Sequence, residues 1–301
     1  MTLRPTLLSA LALIAAFGTG CGKQTFIAGL FFQTPAMPNP QAPGSSLGPY
    51  NLLTGYVGTI DISDPTKIQD AQIQGVNNAK TTIVYRSCAS AGTSTGCIST
   101  GNGSVDTVLN VPSKDNGLYE LFSNDEPKLT YEVGVHYTLI MEVPSDGSTG
   151  PATSSTETDA YGASFTPIPP PTVVEFTNKS DIKHQALNQD MTITRSDPQV
   201  DGEYRPAFVV VGQVDPNNPT ALPDIKYSSL NYQDPKELLL LALSDQPYRK
   251  GSYTIPGSAF AAPGTYIVVL LTIAEGKASA NAFVGSTALS GSGDAGLVQV
   301  P

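Results

Sequence analysis

"AFAAPGTYIVVLLTI", residues 259–273, places an aromatic (Phe260) and a Pro-Gly turn ahead of Tyr266 and a long run of aliphatic and β-branched residues. Such a run behind turn residues reads as a β-strand entered through a tight corner. Successive side chains of a strand point to opposite sides, so Val268 and Leu270 share one face while Ile267, Val269, Leu271 and Ile273 share the other. Both faces are apolar. That pattern belongs either to a central strand buried on both sides or to a strand whose outer face is covered by another element. The nearest candidate cover is "DPKELLLLALS", residues 234–244. There Asp234 suits a helix N-cap, Pro235 the first helical position and Glu237 a capping box.

"TYEVGVHYTLIMEV", residues 130–143, repeats the arrangement: Tyr131 stands six positions before Tyr137, as Phe260 does before Tyr266. Here the two faces differ. Leu139, Met141 and Val143 alternate with Thr138, Ile140 and Glu142, the mix expected of a strand with one face toward water. Outward from these two segments the chain is a series of short apolar alternations broken by Gly, Pro, Asn and Asp, which defines an all-β protein. Strands are expected at 56–62, 81–86, 105–111, 119–122, 136–143 and 160–166, and again at 172–176, 191–195, 207–214, 227–230, 252–255, 265–273 and 280–284. The run "PIPPP", residues 167–171, is short of backbone donors and stiff, and marks the clearest boundary. It divides residues 49–166 from 172–301, the latter ending in a Gly/Ser-rich segment. Each half, at about 120 residues, suits a β-sandwich, so two in tandem are expected.

The two tyrosine segments resemble the tyrosine corner of Greek-key, immunoglobulin-like sandwiches. The resemblance implies that the rings of Tyr137 and Tyr266 pack inside, with their hydroxyls bonded back to the turn, and that both are structural. In the first half, the order "GTIDI" (58–62), "QDAQIQG" (69–75), "DNGLYELF" (115–122) and "GVHYTLIMEV" (134–143) is similar to that of carboxypeptidase-regulatory-like and other prealbumin-type sandwiches. That likeness covers about residues 55–143 and implies no consistent catalytic role.

The N-terminus has a short region with one cation, Arg4, an apolar run from Leu7 to Phe17 that is too short to span a bilayer, and then small residues. The stretch "LIAAFGTGCGK", residues 13–23, resembles the lipobox of bacterial lipoproteins at Gly20 and Cys21, with Gly18 where that family usually has Leu. The resemblance implies that residues 1–20 are a cleaved signal peptide and that Cys21 is acylated. Gly22, where an Asp would hold the protein in the inner membrane, implies the outer membrane. The competing reading is an ordinary secretory signal cut after Gly20, giving a secreted protein. Residues 21–48 then form a lipid anchor and a Pro-rich tether. Within them Phe26, Ile27, Leu30, Phe31 and Phe32 make an apolar patch that suits either the lipid headgroup region or the folded body.

Of the three cysteines, Cys88 and Cys97 have eight residues between them in a Ser/Gly/Thr-rich stretch. In an exported chain they read as a disulfide closing a small loop, worth roughly 2–3 kcal/mol. Cys21 is then the odd thiol, and acylation accounts for it. The alternative use of the pair, a zinc site, needs two more ligands, and the two histidines, His136 and His184, lie in no ligand-spaced cluster.

Sixteen Lys and Arg face 26 Asp and Glu. Without a basic cluster such a chain has nothing to neutralise phosphates, which argues against nucleic acid as a partner and against electrostatic binding to anionic lipid. Membrane attachment would come from the N-terminal lipid. The chain has no nucleophile elbow, no H-E-x-x-H, no Walker loop and no dinucleotide fingerprint. His136 beside Tyr137 and His184 in a polar segment are poor candidates for a catalytic base, and Trp, the common sugar-stacking residue, is absent. The turns with Asp61 and Asp64, Asp125 and Glu126, and Asp215, Asn217 and Asn218 offer oxygen ligands for Ca²⁺. They lack its loop spacing and read as plain turns. The expectation is a lipid-anchored envelope protein with no cofactor, metal or catalytic residue, binding another envelope protein or a surface polymer. The alternative is a small-solute or glycan binder, with an enzyme behind both. A cleft with several tyrosines would favour a ligand, and a flat apolar patch a protein partner.

Overall fold

The computed structural model describes residues 23–39, 45–61, 72–85, 107–145, 158–197 and 202–301, save 219, 220, 222, 232, 235, 239, 240, 242–244 and 284. The protein is all-β. In chain order the strands of the first half are β1 (Lys23–Gln33), β2 (Met37–Pro38), β3 (Ser46–Leu47), β4 (Asn51–Asp61), β5 (Gln72–Gly75), β6 (Lys80–Tyr85), β7 (Thr107–Asn110), β8 (Leu118–Phe122), β9 (Tyr137–Pro144) and β10 (Thr158–Phe165). The second half supplies β11 (Ile182–His184), β12 (Met191–Thr194), β13 (Ala207–Gln213), β14 (Asp224–Ser228), β15 (Ser252–Ile255), β16 (Gly264–Glu275), β17 (Lys277–Ala278) and β18 (Thr287–Val300).

Instead of closing as separate units, the two halves share a nine-stranded sheet in the order β14-β13-β16-β18-β1-β4-β5, with β8 also on β4 and β11 also on β18. The joint is a parallel pairing of the first strand with the last, from Ala28 opposite Thr287 to Gln33 opposite Ser292. The sheet is stepped. At one end Lys23 pairs with Asp61 and Asp61 with Gln72. Past the end of β1, β18 continues to Val300, opposite Gly264 on β16. The strands of the first half therefore fill one end of the sheet and those of the second half the other.

This overturns the expectation of a tether over 21–48, whose residues from Lys23 onward begin with an 11-residue strand. Its side chains explain why. Phe26, Ala28, Leu30 and Phe32 point to one face and Ile27 and Phe31 to the other, all of them buried. A strand apolar on both faces is stable where both faces are covered.

Three cores follow. Ile27, Phe31, Leu53 and Val57 of the large sheet pack against Ile83, Tyr137, Leu139, Met141 and Phe165 of a five-stranded sheet ordered β17-β10-β9-β6-β7. At the other end Val209, Val268, Leu270 and Val298 pack against Ile193, Tyr253 and Ile255 of the β12-β15 pair and against Phe176 and Phe260. The third core lies on the opposite face of the large sheet and runs through both halves, from Phe26, Leu30 and Ile60 to Phe208, Ile267, Val269 and Leu271. Leu238 and Leu241, on the helical segment that includes residues 236–238 and 241, are buried in it. The same core holds Ile267, Val269, Leu271 and Ile273, the second apolar face of β16. Asp234 Oδ1 accepts the Lys236 N–H at 2.9 Å, an N-cap, while Glu237 Oε2 reaches past the cap to accept the Asn231 N–H at 3.0 Å.

Two other expected strands are absent at their positions: residues 174–176 form a 3₁₀ turn, and within 280–284 no described residue is in a strand. The Gly/Ser-rich C-terminal segment is instead β18, the centre of the sheet. The residues on either side of the Pro-rich linker are docked on it. Ser290 Oγ donates to Thr166 O at 2.6 Å, and the Val173 N–H donates to Asp294 Oδ2 at 2.8 Å. Ile168 is buried, its N–H donating to the Tyr131 hydroxyl at 3.0 Å. Small residues on β18 make room for this crossing: a Cβ on Gly296 would lie 2.1 Å from the Phe176 ring.

β1 ends opposite Ser292 and β11 begins opposite Leu297, which leaves a gap along one edge of β18. Lys179 fills it, pairing with Asp294 and donating to Ala295 O at 3.0 Å. Asp294 is 10% exposed and Lys179 35%. Removing the ammonium strands a nearly buried carboxylate, a loss that in a fully buried pair is about 3–5 kcal/mol and here, with Lys179 partly wet, about 2 kcal/mol. Lys179→Met should lower unfolding stability by that amount in urea titrations, and adding Asp294→Asn should recover part of it.

Candidate functional site

An open cleft of about 1020 Å³ lies between β5 and the turn before β8, from the first half, and the segment leading into the helix, from the second. Its floor is Tyr56 of β4, whose side chain is 4% exposed. Burial, reinforced by the negative charge of Asp234, pushes the Tyr56 hydroxyl up to about 12, so it is neutral at any physiological pH.

One wall is the turn Lys114–Leu118. The Lys114 N–H donates to Leu118 O at 2.8 Å and the Leu118 N–H to Asp115 O at 3.0 Å, closing a bend with Asn116 at φ 52° and Gly117 at φ 80°. Gly117 is required twice over. Its φ lies in the left-handed region, and a Cβ would sit 2.2 Å from Val57 O. The Val57 N–H donates to Gly117 O at 2.9 Å, which clamps the turn to β4. Tyr119 holds the neighbouring loop, accepting the Ala79 N–H at 2.9 Å and donating to Val76 O at 2.7 Å. The opposite wall is Asn231, Gln233, Asp234 and Lys236, held by the helix cap. Ile73, Gln74 and Gly75 of β5 and Leu118 and Glu120 complete the lining.

The chemistry of this lining is narrow. Four amides (Gln74, Asn116, Asn231, Gln233), three carboxylates (Asp115, Glu120, Asp234) and two ammonium groups (Lys114, Lys236) surround one buried tyrosine. None of the lining residues is a Ser, Thr, Cys or His. The cleft therefore offers donors and acceptors of both signs. A second hollow of about 520 Å³ lies at the far end of the sheet, lined by Ile182, Val214, Pro216, Pro263, Thr265 and Gln299 among others, with Thr265 Oγ1 bonded to Gln299 Oε1 at 2.9 Å.

Neither cleft uses a residue singled out from sequence as a candidate functional residue. Tyr137 and Tyr266 are fully buried. The Tyr137 hydroxyl accepts the Glu132 N–H at 3.0 Å, and that of Tyr266 donates to Ala262 O at 2.7 Å, each closing its own turn. The Phe260 ring stands edge-on to Tyr266 at 5.4 Å, while Phe31 of β1 packs between Tyr131 and Tyr137 at 5.0 and 4.9 Å. Burial raises the Tyr137 pKa above the ordinary phenol range. Cys21, Cys88, Cys97 and Asp64 lie outside the described residues. His136 and His184 are exposed, the first just before β9 and the second on β11. Asp215 accepts the Asn217 N–H at 2.8 Å within an ordinary turn, and among the described residues no three His, Cys, Asp or Glu side chains group as a metal site. The exposed large apolar residues, Val108, Val133, Val174, Ile182, Leu187 and Ile225, are distributed over both halves. Among the described residues no helix is long and apolar enough to cross a membrane.

The sequence reading missed the cleft because its facing walls come from segments more than 110 residues apart, joined by the packing of the Leu238 turn on the sheet. The one local signal was "DNG" at 115–117, a turn signature. No protein-family profile matches the chain, and no curated protein matches it significantly in sequence.

Proposed function

We propose that the protein is a lipid-anchored component of the bacterial outer membrane that acts by binding, its cleft receiving a polar segment of another envelope protein or of a surface polymer. The cleft carries the reading: it is wide and open, at the upper end of the ~300–1,000 Å³ typical of small-ligand pockets, and lined by amides and charges of both signs. Such a lining hydrogen-bonds an extended polar chain without selecting strongly for charge. The anchor rests on the likeness of Gly20-Cys21 to a lipobox, and the acidic composition adds reason to look away from nucleic acid. In this reading the two halves are sandwich-like lobes, the first of prealbumin type and the second immunoglobulin-like, fused through β1 and β18. A small-solute or glycan ligand is the second reading, favoured by the four amides, each both donor and acceptor.

Two experiments test this. Cys21→Ser should abolish fatty-acid labelling and move the protein from the membrane to the soluble exported fraction. If the variant stays with membranes, the anchor is elsewhere. For the cleft, Asp234→Ala with Gln74→Ala should reduce capture of envelope partners by in vivo crosslinking at least tenfold without changing the melting temperature by more than a few degrees. Unchanged capture would place binding on another surface.

A further inference from the structure

The register of the central strands fixes which end of the molecule meets the membrane. β1 starts at Lys23, and one residue, Gly22, separates it from Cys21. Two Cα–Cα steps span at most about 7.6 Å. A lipid on Cys21 therefore cannot be joined to the folded body by a flexible spacer. We infer that the body stands directly on the bilayer, with the end of the sheet at Lys23, Asp61 and Gln72 against the lipid headgroups and the second half stacked above the first. This rests on acylation of Cys21, as proposed above.

The levels along the sheet follow from the pairings. Gln74 lies beside Thr59, and Thr59 beside Thr25, two residues from the start of β1. Phe283 is buried near this same end, its N–H donating to Thr25 O at 2.8 Å. Ile225 lies beside Gly212, Gly212 beside Ile267, and Ile267 beside Leu297, close to the C-terminal end of β18. Ile182 on β11 sits opposite the same Leu297. At about 3.3 Å per residue, the row from Ile225 to Ile182 is roughly 40 Å further along the strands than Gln74. The polar cleft, with Gln74 in its wall, then opens near the headgroup layer, and the hollow beside Ile182 points away from the membrane. The partner of the cleft is accordingly one that lies at the bilayer surface.

The test places a fluorophore, through a click-reactive unnatural residue, at Gln74 or at Ile225, both exposed, in acylated protein reconstituted into vesicles carrying headgroup-nitroxide lipid. Mass spectrometry of the N-terminal peptide first establishes acylation, so failure of the anchor is seen separately. The expected result is at least threefold stronger quenching at Gln74 than at Ile225. Inserting fifteen Gly/Ser residues between Gly22 and Lys23 should reduce the Gln74 quenching toward the Ile225 level. Equal quenching at the two sites in acylated protein with the native spacing, or no effect of the insertion, would overturn the orientation while leaving the anchor intact.

Discussion

Residues 23–166 expressed without the rest of the chain are expected not to fold, although a Pro-rich boundary closes them off. In that fragment β1 keeps its antiparallel neighbour β4 but loses β18, which pairs with it from Ala28 to Gln33. Phe26, Leu30 and Phe32 would also lose the far part of the core they share with Phe208, Ile267, Leu271 and Leu289. The result is an open edge on a strand apolar on both faces, a state prone to aggregation. Residues 167–301 alone would lack the strand that covers the first part of β18. The measurement is thermal unfolding by near-UV circular dichroism, which should show no cooperative transition in either fragment. Co-expression of the two fragments should restore one, because the missing strand can be supplied in trans. A cooperative melt of 23–166 alone would mean that the shared sheet is not what holds the first half together. Removal of one half consequently cannot report which half meets a partner, and surface substitutions are needed for that purpose.

The strands that sequence alone locates well are those that alternate or that stand behind a tight turn. β9 keeps Tyr137, Leu139 and Met141 inward and Thr138, Ile140 and Glu142 half-exposed, as its pattern demands, and β16 falls where its aliphatic run lies. Among the strands not expected from sequence are the two that join the halves. β18, "TALSGSGDAGLVQV", is poor in β-formers because its neighbours come so close. Phe176 covers Gly296, the carbonyl of Thr166 just before the linker takes the Ser290 hydroxyl, and the gap beside Asp294 is filled by Lys179. Those demands are tertiary and leave a sequence that looks like a flexible tail. β1 is ambiguous in sequence for the opposite reason. Its double-faced apolarity is the mark of a buried central strand, but its place next to a lipobox-like cysteine made a membrane contact an equally natural use of the same residues.

The candidate site was less legible still. A cleft lined by amides and charges follows no spacing rule, since each of those groups is individually an ordinary surface residue. What makes them converge on Tyr56 is the packing of Leu238 and Leu241 beneath the sheet, which brings Asn231 to Lys236 opposite the Lys114–Leu118 turn. The tyrosines that do have a recognisable spacing, Tyr137 and Tyr266, are spent on closing their own turns.

Truncating one ring on β1 should show that the two halves unfold together. Phe31 is fully buried, with Tyr131, Tyr137 and Phe165 at ring distances of 5.0, 4.9 and 6.2 Å, all belonging to the first half. Phe31→Ala removes a ring from a site ringed by large side chains, the two tyrosines anchored by their own hydrogen bonds, so the cavity collapses little and the expected cost is about 3–5 kcal/mol. The same strand is hydrogen-bonded to β18, whose Val298 and Val300 are buried in the core of the second half. The loss should therefore appear undiminished when unfolding is followed in the second half, for instance by hydrogen exchange of the Val209, Val268 and Leu270 amides. Phe31→Leu, which fills most of the space, should cost about 1–1.5 kcal/mol and act as the control. If Phe31→Ala leaves protection of the second half unchanged while destabilising the first, the parallel joint between β1 and β18 does not couple the halves, and each must fold on its own.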